Sequence, residues 1–135
     1  MIAAAILVLS LGALVQFFIS YSRSLVAAAA AQPLSVETQE VAGISTSARG
    51  EDFARLLQLL ELCPERPHDR GEIRAVRSYF RLVSALRWSL ARLLPSLQPW
   101  MEAQRAQCAY FAAVALDRRI AFSRGVLAAQ LDNSR

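Results

Sequence analysis

A chain of 135 residues with five Gly, five Pro and a net charge of +4 has room for one small folded unit and not for two. Its Ala, Leu and Arg outnumber the β-branched residues, which favours helix throughout and leaves no competing strand pattern. One His, two Cys and the lack of a Gly-rich phosphate loop, a nucleophile elbow or an HExxH sequence argue against an enzyme, a metal centre or a cofactor.

The first charged side chain is Arg23, and the residues before it, MIAAAILVLSLGALVQFFISYS, are mostly apolar. As a helix they reach about 33 Å, enough for a hydrocarbon core of about 30 Å. A single transmembrane helix with a juxtamembrane extension is therefore expected over residues 1–31. A secretory signal peptide is the competing reading, because Ala27 to Ala31 offer small-residue cleavage sites. It fits less well, since no basic side chain precedes the apolar run and the run is long for a signal core.

No arginine precedes the span and Arg23 follows it, so the positive-inside rule puts the carboxyl side in the cytoplasm and the amino end outside the cell (inner) membrane. Phe17, Phe18 and Tyr21 then form the aromatic belt at the interface. Gly12, Gln16, Ser20, Ser24 and Ala28 recur at four-residue steps that would let a second helix approach, as in a homo-oligomer. Such steps are also common in Ala-rich apolar helices, and that plainer reading is preferred.

Residues 32–50 read as a linker, opened by Pro33 and containing a short helix around Val36 to Val41. The stretch Glu51 to Cys63 predicts a helix with Phe53, Leu56, Leu57 and Leu60 on one face, widened by Leu59, Leu62 and Cys63. Glu51 and Asp52 suit its first turn, where the helix dipole favours negative charge. Pro64 and Pro67 end it.

Asp69, with Glu72 three residues on, suggests a capping box opening a helix to Leu94. At about 100° per residue, Arg70, Arg74, Arg77, Arg81, Trp88 and Arg92 fall within about 60° of one another. Ile73, Val76, Tyr79, Phe80, Leu82, Val83, Leu86, Leu90, Leu93 and Leu94 take the other side, an apolar arc that must be buried. Ser96 is the expected cap of a last helix, with Pro99 in its first turn. That helix runs to about Leu131, with a core stripe of Trp100, Met101, Cys108, Phe111, Ala115, Phe122 and Val126. Ala106, Ala109, Ala112 and Ala113 suit close approach, and Gly125 is a weak point.

These elements define an all-α chain: one amino-terminal transmembrane helix, a linker, and a small three-helix bundle over residues 51–135. Charge is unevenly spread along it. Residues 37–65 hold six acidic residues against Arg49 and Arg55, a net −4, and residues 66–92 hold seven Arg against Asp69 and Glu72, a net +5. All fifteen basic residues are Arg, a bias that codon usage explains most simply, with phosphate recognition as the alternative. Cys63 and Cys108 are expected to pack as small apolar groups, or to pair as a disulfide were the bundle outside the cytoplasm.

The arginine ridge is the candidate functional surface. Its plain alternative is a solvated polar face. As a binding surface it would meet anionic headgroups of membrane lipid or an acidic protein partner, including the chain's own acidic segment. Nucleic acid is not expected, because aromatic residues do not interleave with the basic ones apart from Trp88. The expected function is a non-enzymatic membrane-anchored scaffold, adaptor or accessory subunit of a membrane complex. The alternative is a ligand- or lipid-sensing module, which would need a pocket lined by Tyr79, Trp100, Cys108 and Phe111.

Overall fold

The computed structural model describes residues 1–44, 48–90 and 92–134. They form five α-helices: α1 (Ile2–Ala30), α2 (Val36–Ala42), α3 (Asp52–Leu62), α4 (Asp69–Leu90) and α5 (Gln98–Asn133), with a 3₁₀ turn at Pro95–Leu97. No strand occurs among the described residues. The all-α architecture is as expected, a long apolar helix followed by a helical bundle.

The two ends of α1 differ. Residues 1–17 are exposed throughout, and no residue is buried in the stretch of α1 apolar and long enough to cross a membrane. Beyond Phe18 the same helix turns a face to the bundle, and Ser22, Val26 and Ala29 are 0, 1 and 2% exposed. Phe18, Ile19 and Leu25 pack beside them. The bundle thus has a fourth helix, the end of α1, which sequence reasoning treated as a juxtamembrane extension. The reason is the width of the apolar faces of α4 and α5: α1 packs against both helices, and the small Ser22 and Ala29 suit a close approach. The expected Gly12–Ala28 stripe of small and polar residues lies on the opposite, exposed side of α1.

Helix α5 is the axis of the core, with Cys108, Ala109 and every residue from Phe111 to Leu116 buried. Ala109, Ala112 and Ala113 are 0–1% exposed, which is the close approach their size allows. From the expected stripe Met101, Cys108, Phe111 and Ala115 are buried, whereas Trp100, Phe122 and Val126 are 43, 41 and 42% exposed. The last two stand out because α5 continues unbroken through Gly125, beyond the helices that pack on it. Phe53 of α3 stacks on Phe80 of α4 with centroids 4.1 Å apart, and the Arg105 guanidinium lies 5.2 Å from the Phe80 centroid. At Gly50 a Cβ would come within 2.9 Å of the Arg105 Cβ, so only glycine fits where α3 begins against α5.

Residues 32–43 are tied down rather than loose. Ser35 caps α2, accepting from the Thr38 N–H at 3.3 Å, and Gly43 closes that helix in the left-handed conformation. Asp117 of α5 accepts from both Ser35 and Thr38 hydroxyls. Tyr110 donates to the Gln32 carbonyl, and Arg124 pairs with Glu37. Residues 45–47 of the expected linker lie outside the described residues.

Three capping expectations differ from the structure. Asp69 is not an N-cap; it is buried at the first position of α4 and turned toward Arg119. Ser96 caps nothing, because Pro95–Leu97 forms a 3₁₀ turn and Leu97 precedes α5 without a side-chain bond. Helix α4 stops at Leu90 instead of Leu94, with the Leu93 and Leu94 N–H groups folding back on the Leu90 carbonyl. The cause is Pro95, whose ring drives Leu94 out of the helical region, to φ −138° and ψ 75°. Ala91 lies outside the described residues.

Contacts fix the sense of each helix along the core. Gly50 meets Arg105 and the Leu60 carbonyl meets Arg119, so α3 runs parallel to α5. Asp69 meets Arg119 and Tyr79 meets Gln104, so α4 runs antiparallel to it. Arg23 lies close enough to act on the Tyr79 hydroxyl, while Gln32 bonds Tyr110 and Arg118. Helix α1 therefore runs parallel to α5. The turn between α4 and α5 lies at the end of the bundle from which residues 1–17 project.

Candidate functional site

The arginine ridge stands on the outer side of α4 and borders a groove of about 310 Å³ between α3 and α4. Leu57, Leu60 and Ile73 contribute its apolar lining, Glu61 and Glu65 come from the α3 side, and Arg70, Arg74 and Arg77 line the α4 side. Two of the ridge arginines are already engaged. Arg70 reaches Glu65 at 2.5 Å and Arg77 reaches Glu61 at 3.2 Å. The Arg70 hydrogen bond holds the Glu65 carboxyl below its ordinary range, and Arg70 is raised in return. Both pairs are exposed, so water screens them and neither is a strong structural tie.

Arg74, Arg81 and Arg92 are exposed and engage no carboxylate among the described residues. Trp88 is 87% exposed. The six residues expected on one face thus divide: Arg70, Arg74 and Arg77 line the groove, Arg81 stands exposed one turn beyond it, and Trp88 and Arg92 belong to the far end. Arg92 has left the helix, so the end of the ridge is set by the turn. Around that turn Leu93, Leu94, Leu97 and Trp100 are 74, 48, 38 and 43% exposed. Sequence reasoning placed Leu93, Leu94 and Trp100 in the core. The available signal was Pro95, since a helix that must stop before it cannot carry those leucines around to the core face.

Arg119 was missed altogether. Its guanidinium is buried, with Nε 3.2 Å from the Asp69 carboxylate and one terminal nitrogen donating to the Leu60 carbonyl at 2.7 Å and the Cys63 carbonyl at 3.4 Å. It closes the carboxyl end of α3 and meets the carboxylate that opens α4, so one side chain locks three helices at the end opposite the α4–α5 turn. The sign of it was in the core stripe: position 119 falls one turn after Ala115, where an apolar residue would be expected.

The cysteines are far apart. The Cys63 carbonyl is at the level of Arg119, about three turns of α5 from Cys108, or about 16 Å, whereas a disulfide needs Cα atoms within about 7 Å. Both are free. Burial pushes the Cys108 thiol up to about 12, so it stays protonated and packs as an apolar group. Burial also raises the Tyr79 phenol, Cys108 adds to this and Arg23 opposes it; its hydroxyl bonds Gln104 at 2.8 Å. Tyr79, Cys108 and Phe111 sit together in the core, but Trp100 does not join them. The four residues a sensing pocket would require are not brought to one place.

Among the described residues no three His, Cys, Asp or Glu side chains gather as metal ligands. Comparison with protein-family models, curated proteins and solved structures returns no match to this chain.

Proposed function

We propose that this protein is a non-enzymatic, membrane-anchored helical adaptor or accessory subunit of a membrane complex. The exposed part of α1 crosses the cell (inner) membrane once, with its amino end outside and the bundle in the cytoplasm. The observation that carries this reading is the division of α1 into a bare apolar part and a part sealed into the core. A signal peptide is released from the protein it leads, and cleavage at Ala27–Ala31 would remove a helix from this core. Arg23 beside the span, with every other arginine beyond it, supports the orientation.

The sense of α4 favours protein over lipid as the ridge's partner. Because α4 runs alongside α1 and α5, it points along the span rather than lying across the membrane surface. Arg70 and Arg74 then stand on the bundle side of the headgroups and Arg77 and Arg81 near their level, on a flank that suits an acidic protein segment laid over the groove. Arg74 and Arg81 supply the free charge, and the Leu57–Ile73 lining accepts an apolar side chain.

Changing both Arg74 and Arg81 to Gln in the full chain is expected to leave helicity unchanged. It should lower about tenfold the recovery of a protein that co-purifies from detergent extracts, with the same loss at high salt, since two exposed ion pairs are worth about 1–2 kcal/mol. Quantitative mass spectrometry of the extracts reads this. An identical set of captured proteins from both forms, at every salt concentration, would remove the flank from the mechanism.

A further inference from the structure

The end of the bundle nearest the bare part of α1 carries a group of exposed large apolar residues that includes both tryptophans of the chain. Trp88 is 87% exposed and Leu93 74%, with Leu94, Leu97 and Trp100 between 38 and 48%. Arg92 stands exposed among them. These side chains come from the end of α4, the turn and the start of α5. They form one tip, and the rest of the core is closed without them.

Helix rise sets the depth of this tip. Gln32 bonds Tyr110 and Arg118, so Arg23, nine residues earlier on the parallel α1, stands at about the level of Gln104. One turn beyond Gln104 toward the tip is Trp100, and little more than one turn beyond Arg23 is Phe18. Trp100 is therefore level with the Phe17–Tyr21 aromatic pair of α1, and the turn lies farther along toward the amino end of that helix. If Arg23 marks the polar boundary of the span, Trp100 stands where headgroups give way to acyl chains, and Trp88, Leu93 and Leu94 reach about one to two turns deeper. Tryptophan favours that layer because its ring is apolar and its indole N–H still finds a partner. Arg92 can turn its charge back to phosphate while its stem stays in the apolar layer.

We propose that the α4–α5 turn is a second membrane contact, dipping into the interfacial layer of the same bilayer that α1 crosses. This rests on the anchoring role of α1 proposed above. Two attachment points, a span and a shallow tip, hold the bundle at a fixed rotation about α1, so that the arginine flank faces one direction along the membrane surface. A span alone would leave the bundle free to turn.

Trp88 and Trp100 are the only tryptophans in the chain, so intrinsic fluorescence reports the tip alone. The full chain is reconstituted in phosphatidylcholine–phosphatidylglycerol vesicles, with and without lipids brominated near the top of their acyl chains. Vesicle flotation is run on the same samples. Expected is protein that floats, with blue-shifted emission, at least twofold quenching by the brominated lipid and weak quenching by aqueous acrylamide. Trp88→Phe and Trp100→Phe should each retain the lipid quenching. Floating protein whose tryptophans are quenched by acrylamide and not by lipid would overturn the tip contact while leaving the anchor in place. Tryptophans shielded from both quenchers would overturn it as well, in favour of a protein covering. Protein that fails to float would overturn the anchor itself.

Discussion

Replacing Arg119 with Ala is expected to destabilise the bundle by about 3–5 kcal/mol, the cost of removing one partner of a buried ion pair. Asp69 would keep a carboxylate in a site 7% exposed, and the Leu60 and Cys63 carbonyls would lose their buried donor. That loss is a large part of the about 5–15 kcal/mol that holds a small domain together. Arg119→Lys should recover little, because an ammonium cannot reach a carboxylate and two carbonyls with a planar fork. A double change, Arg119→Met with Asp69→Ala, should be milder than Arg119→Ala alone, since it leaves no stranded charge. Thermal melts of the full chain in detergent micelles, followed by circular dichroism, give the order. An Arg119→Ala protein that melts with the wild type would mean that the three helices are held together without this lock.

A chain beginning at Gln32 should not fold as the bundle does here. It lacks Val26, whose burial is worth about 1.5–3 kcal/mol, together with Ser22, Ala29 and the partly buried Leu25. It also uncovers the faces of α4 and α5 against which α1 packs. The combined loss, of order 5 kcal/mol, approaches the whole stability of such a domain. The expected product keeps much of its helical signal, loses its aromatic near-ultraviolet signal and binds a hydrophobic dye. A chain beginning at Tyr21 keeps the packed turns and should recover near-native behaviour. Equal stability of the two would show that α1 and the bundle fold independently.

The helices were legible in the sequence wherever a strong apolar period met a proline. Pro33, Pro64, Pro67 and Pro95 bracket the elements, and Phe53, Leu56, Leu60, Val76 and Val83 are buried as their spacing requires. Less legible was where a helix leaves its neighbours. Phe122 and Val126 continue the core stripe of α5, but nothing local says that the other helices end first. The role of the last turns of α1 was hidden for a related reason: an Ala-rich stretch after a span looks like filler until the wide apolar faces of α4 and α5 are seen to need a further helix. Asp69 reads as a cap by position and as half of a buried pair only when Arg119, 50 residues away, is placed beside it. The arginine ridge was visible from its angular spacing, but its partition into a flank and a tip depended on the direction in which α4 runs relative to α1.

Anchoring and packing by one continuous helix is the claim from which the orientation of the flank and the depth of the tip both follow. Alkaline carbonate extraction of membranes from cells producing the chain, with mass spectrometry of the amino-terminal peptide, addresses it. The protein should stay in the membrane pellet with the residues of α1 still attached. A soluble product whose first residue lies at or near Gln32 would contradict it.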